Sequence, residues 1–108
     1  MRRDGLEAIV DAILARWFAG EPDPRLREMF LATPREGYAR CCEALRDADL
    51  TDELARIEAP VLVIGGAEDP TVTPDDVASI PGRHAIIAGA AHLPSWERPD
   101  EFNALLVA

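Results

Sequence analysis

At 108 residues and 48% apolar side chains, the chain has material for the core of one ordinary domain and no room for two. A formal charge of -9 sets it against a phosphate backbone or an anionic lipid surface, so nucleic acid and membrane are not expected partners. The two cysteines, Cys41 and Cys42, are sequence neighbours that cannot staple distant segments. No Cys/His cluster has metal-ligand spacing, which makes a reduced protein without a metal the expectation.

The start, Met1-Arg2-Arg3-Asp4, leads into an amphipathic stretch and not into the apolar region of a signal peptide. No apolar run approaches the roughly 20 residues that span a bilayer, so a cytoplasmic location is the default expectation. Leu6, Ile9, Val10, Ile13, Leu14, Trp17 and Phe18 recur at helical spacing and share one face, and Gly20, Pro22 and Pro24 end that helix. A second short helix carries Leu26, Met29 and Phe30. Thr33-Pro34-Arg35-Glu36 then predicts an N-cap at Thr33, a proline at the first helical position and a capping box with Glu36. Tyr38, Cys41, Cys42 and Leu45 follow on one face. Thr51 is expected to cap a further turn through Leu54 and Ile57, within an acidic, solvated surface of Asp47, Asp49, Asp52 and Glu53. Residues 1–50 thus read as a helical segment.

Residues 51–108 change character from Pro60 onward. Val61 to Ile64 is a continuous apolar run ended by Gly65-Gly66, the pattern of a strand buried on both faces of a parallel sheet. A loop from Ala67 to Thr73 leads to Thr73-Pro74-Asp75-Asp76, which starts a helix through Val77 and Ile80 that Pro81-Gly82 stops. Ala85 to Ala88 reads as a second buried strand, Gly89 to Pro94 as a loop, and Pro99 opens a final helix with Phe102, Leu105 and Leu106. This order is a β-α-β-α unit with parallel strands, and in open parallel sheets the active groups lie beyond the carboxyl ends of the strands. One such loop carries Asp69 and the other His92. A carboxylate there could accept from one imidazole nitrogen, fix the tautomer and leave the other nitrogen free to take a proton from a nucleophile. His84 begins a strand and reads as structural or exposed.

The stretch from Ile57 through Ala67-Glu68-Asp69-Pro70, with Ile80-Pro81-Gly82 and Gly89-Ala90-Ala91-His92 continuing through Pro94, Glu97, Pro99 and Phe102, resembles the C-terminal end of α/β-hydrolases. On that resemblance Asp69 falls on the family's triad acid and His92 on its triad histidine, with Ala91 where the family usually has glycine. Residues 12–18 and 31–50 are similar to the helical cap and the region after it in 3-oxoadipate enol-lactone hydrolases. The resemblance implies an α/β fold made of a helical cap segment followed by the C-terminal β-α-β-α unit. It also implies cleavage of a small-molecule lactone or ester through an acyl-serine, in the β-ketoadipate pathway of aromatic catabolism, with no cofactor. Trp17 could touch substrate, though its spacing fits the core better, and Arg16 could meet a substrate carboxylate, though a solvated helix face fits it better.

That family's serine sits in a Gly-x-Ser-x-Gly frame. The chain's two serines, Ser79 and Ser95, lack it, so the chain alone is expected to form no acyl-enzyme. Two buried strands without sheet neighbours would leave backbone groups unpaired, which predicts association with the N-terminal half of a hydrolase or self-association. A non-catalytic remnant acting as an interaction module stays open beside the enzyme, as does another α/β-hydrolase chemistry such as C–C bond or haloalkane hydrolysis.

Overall fold

In the computed structural model, which describes residues 5–108, the first apolar period folds in two pieces. A single 3-10 turn at Leu6–Ala8 precedes helix α1, Val10–Trp17, and the break falls at Ile9, whose φ of -120° is outside the helical range. The start at Met1-Arg2-Arg3-Asp4 lies outside the described residues. Helix α2, Pro24–Ala32, begins with proline in its first turn, and the Asp23 carboxylate accepts from the Arg25 amide at 2.8 Å.

Helix α3, Arg35–Asp47, starts without a side-chain cap. The box expected from Thr33 does not form, because only Thr33 and Pro34 separate α2 from α3 and Thr33 is taken up in closing the earlier helix. Its hydroxyl donates back to the Met29 carbonyl at 3.2 Å. Helix α4, Thr51–Leu54, also departs from expectation. Leu50 is its N-cap, and Asp49, one residue earlier, accepts from the Thr51 amide and hydroxyl at 3.1 and 2.7 Å.

Strands β1, Leu62–Gly66, and β2, Arg83–Ile87, pair in parallel with Leu62 opposite Arg83 and Gly66 opposite Ile87. Helix α5, Pro74–Ala78, connects them. Here a capping box does form: the Thr73 hydroxyl accepts from the Asp76 amide at 3.3 Å and Asp76 accepts from the Thr73 amide at 3.0 Å. A short helix α6, Pro94–Glu97, occupies the stretch between the expected loop and the last helix α7, Pro99–Val107.

Leu6, Val10, Ile13, Leu14, Phe18 and Phe30 form the main buried cluster, with Trp17, Tyr38 and Leu93 half-buried against it. The core therefore belongs to the helical segment. The strands fall short of the two-sided burial their composition predicts: residues 62–64 are half-buried, Arg83 and His84 are exposed, and Ile86 is 42% exposed. Among the described residues the sheet has two strands, so its outer edges are unpaired, and helices α5 and α7 cover it only in part. The radius of gyration, 15.6 Å, exceeds the roughly 13 Å of a compact domain this long, consistent with that open side. No helix among the described residues is long and apolar enough to cross a membrane.

Candidate active site

The parallel register puts the ends of both strands side by side, and the two loops that leave them are stitched together by backbone bonds. Ala67 N–H donates to the Ile87 carbonyl at 3.0 Å and Glu68 N–H to the Ala90 carbonyl at 2.9 Å. Beyond those bonds the Asp69 Oδ2 and His92 Nδ1 atoms lie 2.9 Å apart. The other carboxylate oxygen, Oδ1, accepts from the amides of Thr71 at 2.8 Å and Val72 at 3.1 Å, which fixes the carboxyl plane.

Close approach of the two loops depends on Gly66. A Cβ there would lie 2.0 Å from the Ala91 carbonyl oxygen and 2.5 Å from that of Ala90, so any side chain would push the histidine loop off the strand end. Gly89 turns that loop with a φ of 76°, a left-handed value that favours glycine. Ala91 needs no such freedom, since no non-glycine residue among those described has a positive φ. Alanine is therefore tolerated where the resembling family usually has glycine.

Asp69 is buried, with 6% of its surface exposed, while the His92 side chain keeps 30%. Burial pushes the Asp69 carboxyl up, but hydrogen bonds from His92 and from the Thr71 and Val72 amides outweigh it and hold the group below its ordinary value of 3.8. An ionised carboxylate can only accept, so His92 carries its proton on Nδ1, and Nε2 has no hydrogen-bond partner among the described residues. A cavity of about 170 Å³, bounded by Gly65, Gly66, Asp69, Val77, His92 and Pro94, opens beside this pair. Such an arrangement has the geometry that an oriented general base requires, with space beside it for a small reacting group.

The other residues singled out in the sequence are placed differently. Trp17 packs against the helical core, and its ring lies 5.9 Å from the His92 ring. Its carbonyl accepts from the His92 amide at 3.0 Å. Arg16 is exposed on α1, where its charge acts on the Tyr38 hydroxyl, which burial and the neighbouring Cys42 push up. The Ser79 hydroxyl donates to the Asp76 carbonyl at 2.6 Å, Ser95 is exposed on α6, and no hydroxyl is bonded to His92 among the described residues. Cys41 and Cys42 are free and exposed, and the exposed His84 bonds through its ring to the Ile80 carbonyl. One contributor carried no role in the sequence: the Glu97 carboxylate accepts from the Ala91 amide, next to His92, at 2.9 Å. Its targets are backbone amides, which leave no mark in residue type.

The profile described as Alpha/beta hydrolase family matches residues 1–105. The chain is 38% identical to 3-oxoadipate enol-lactonase 2 of Acinetobacter baylyi over 95% of its own length and 43% of that protein's. It is 32% identical to 3-oxoadipate enol-lactonase 1 of the same organism, over 92% of this chain and 41% of that protein. A solved hydrolase from Pseudomonas aeruginosa PA01 superposes with a TM-score of 0.80 at 34% identity, covering 96% of this chain and 43% of that one. The chain thus spans less than half the length of the relatives it matches.

Proposed function

The chain belongs to the alpha/beta hydrolase family, and from that premise we propose that it supplies the acid and the base of a serine-type ester or lactone hydrolase. The observation that carries this reading is the 2.9 Å contact between Asp69 and His92 at the carboxyl ends of two paired strands. Two relatives named as 3-oxoadipate enol-lactonases support that enol-lactone as substrate; the β-ketoadipate pathway of aromatic catabolism and the cytoplasm are part of the same proposal. The nucleophilic serine and the amides that hold the oxyanion come from the N-terminal segment that makes up the rest of the relatives' length.

In the completed site, Nε2 of His92 takes the serine proton as the oxygen attacks the lactone carbonyl. It then returns that proton to the departing enolate oxygen, which opens the ring and leaves an acyl-enzyme. Water, deprotonated by the same nitrogen, attacks the acyl carbon, and the imidazolium returns the proton to the departing serine oxygen, which releases the acid in its keto form once the enol tautomerises. Asp69 keeps Nδ1 protonated and stabilises the imidazolium formed in each half-reaction. Trp17, beside the imidazole, is a candidate contact for substrate, and the exposed Arg16 is the candidate partner for a substrate carboxylate.

The test joins the chain to a nucleophile-bearing segment, by co-expression or fusion, and compares hydrolysis of the enol-lactone with that of p-nitrophenyl esters. Preference for the enol-lactone is expected. His92→Ala should abolish acylation, and Asp69→Asn should lower turnover by on the order of 10⁴, as in serine proteases that lose their aspartate. Retained turnover in either variant would refute the assigned roles.

A further inference from the structure

Glu97 closes helix α6 and directs its carboxylate back across the histidine loop. Oε1 accepts from the Ala91 amide at 2.9 Å and the Ala19 amide at 3.1 Å; Oε2 accepts from Ala19 at 2.9 Å and Gly20 at 3.2 Å. Three backbone amides therefore converge on one charge, one of them immediately before His92 and two from the chain leaving α1. The same junction is bonded a second way, through the His92 amide and the Trp17 carbonyl. The residue before Glu97 reaches the same helical segment: Trp96 Nε1 donates to Asp23 at 3.0 Å, and the Arg25 guanidinium lies 5.5 Å from the centroid of its ring.

We infer that Glu97 is a positioning residue that fastens the His92 loop to the end of α1 and thereby holds the imidazole against Asp69. Hydrogen bonds to an ionised acceptor are roughly twice as strong as neutral ones. With the Ala91 amide held by Glu97 and the His92 amide held by Trp17, the backbone on the N-terminal side of the imidazole is anchored at two successive residues. Asp69 is anchored in turn by the Thr71 and Val72 amides. The acid and base then meet without rearrangement, and the helical segment is coupled to the base. The catalytic consequence rests on the proposed hydrolase reading; the placement of the imidazole does not.

The decisive measurement reads the imidazole directly. Two-bond ¹⁵N–¹H spectra of the full chain, at a pH where His92 is neutral, report which ring nitrogen carries the proton, and solvent exchange of that proton reports how often the loop opens. The unmodified chain should show the Nδ1–H form. Glu97→Gln should shift the population toward Nε2–H and speed exchange by about tenfold or more, as expected when a charge-assisted hydrogen bond is lost. Glu101→Gln, on the exposed side of α7, should change neither. Glu97→Asp keeps the charge but withdraws it by one methylene, and serves where the glutamine variant does not fold. A lower melting temperature with unchanged tautomer and exchange would overturn the inference and leave Glu97 merely structural. Absence of the Nδ1–H form in the unmodified chain would overturn the Asp69–His92 contact itself, whereas failure of the enol-lactone assay would touch only the substrate.

Discussion

Asp69 is the residue whose surroundings conflict most. Its burial favours a neutral carboxyl, yet three donors converge on it and its folded-state pKa lies below the ordinary 3.8. The sign of the linkage follows. A depressed carboxylate stabilises the fold fully above the unfolded value and loses that contribution as pH falls through the folded one. Asp69→Asn should therefore be less stable than the unmodified chain at pH 7, and the gap should narrow once pH drops below 3.8. Urea melts at several pH values check it, and a gap independent of pH would contradict it. Asp69 and His92 could be found from residue type because each follows an apolar run at a strand end. Glu97 and the Trp17 carbonyl could not, since their partners are amides common to every residue.

Among the elements, two Thr-Pro sequences of the same form behave differently. Thr73 caps α5 in a reciprocal box with Asp76, whereas Thr33, with a helix already ending behind it, closes α2. Thr73→Ala should cost about 1 kcal/mol, while Thr33→Ala should cost less because its hydroxyl caps no helix N-terminus; thermal melts of the two variants decide the order. Gly66 is the second element-scale test. A methyl group at that strand end meets the Ala91 carbonyl, so Gly66→Ala should destabilise the chain by roughly 1–3 kcal/mol, the usual range for overpacking, and abolish the Nδ1–H signature of His92. Gly20→Ala, whose Cβ would meet nothing within 4 Å, is the control.

Across the molecule, apolar burial is lopsided. Leu14, 2% exposed, sits in the helical cluster that supplies most of the core, and Leu14→Ala should cost about 2–5 kcal/mol by opening a cavity there. Chemical denaturation measures this, and a loss under 1 kcal/mol would place the core elsewhere. The sheet is the opposite case, with Ile86 and most of β1 partly open to solvent. We expect the chain to sediment above its 11.8 kDa monomer mass, or to bind a nucleophile-bearing segment when one is offered. A lone monomer that ignores the segment would count against both.

The sequence by itself determined the alternation of helical and strand segments and the two loops that carry the acid and the base, because apolar periodicity and strand-end position are local properties. It also carried the family resemblance, through the spacing from Asp69 to His92 and on to Pro99. Only the tertiary structure decided which helix ends are capped, how far the strands are buried, and that Trp17, Ala91 and Glu97 converge behind His92. The caps turn on where a neighbouring helix ends, and the burial and the convergence at His92 on backbone amides and elements brought together across long stretches of chain; no local pattern of side chains records either.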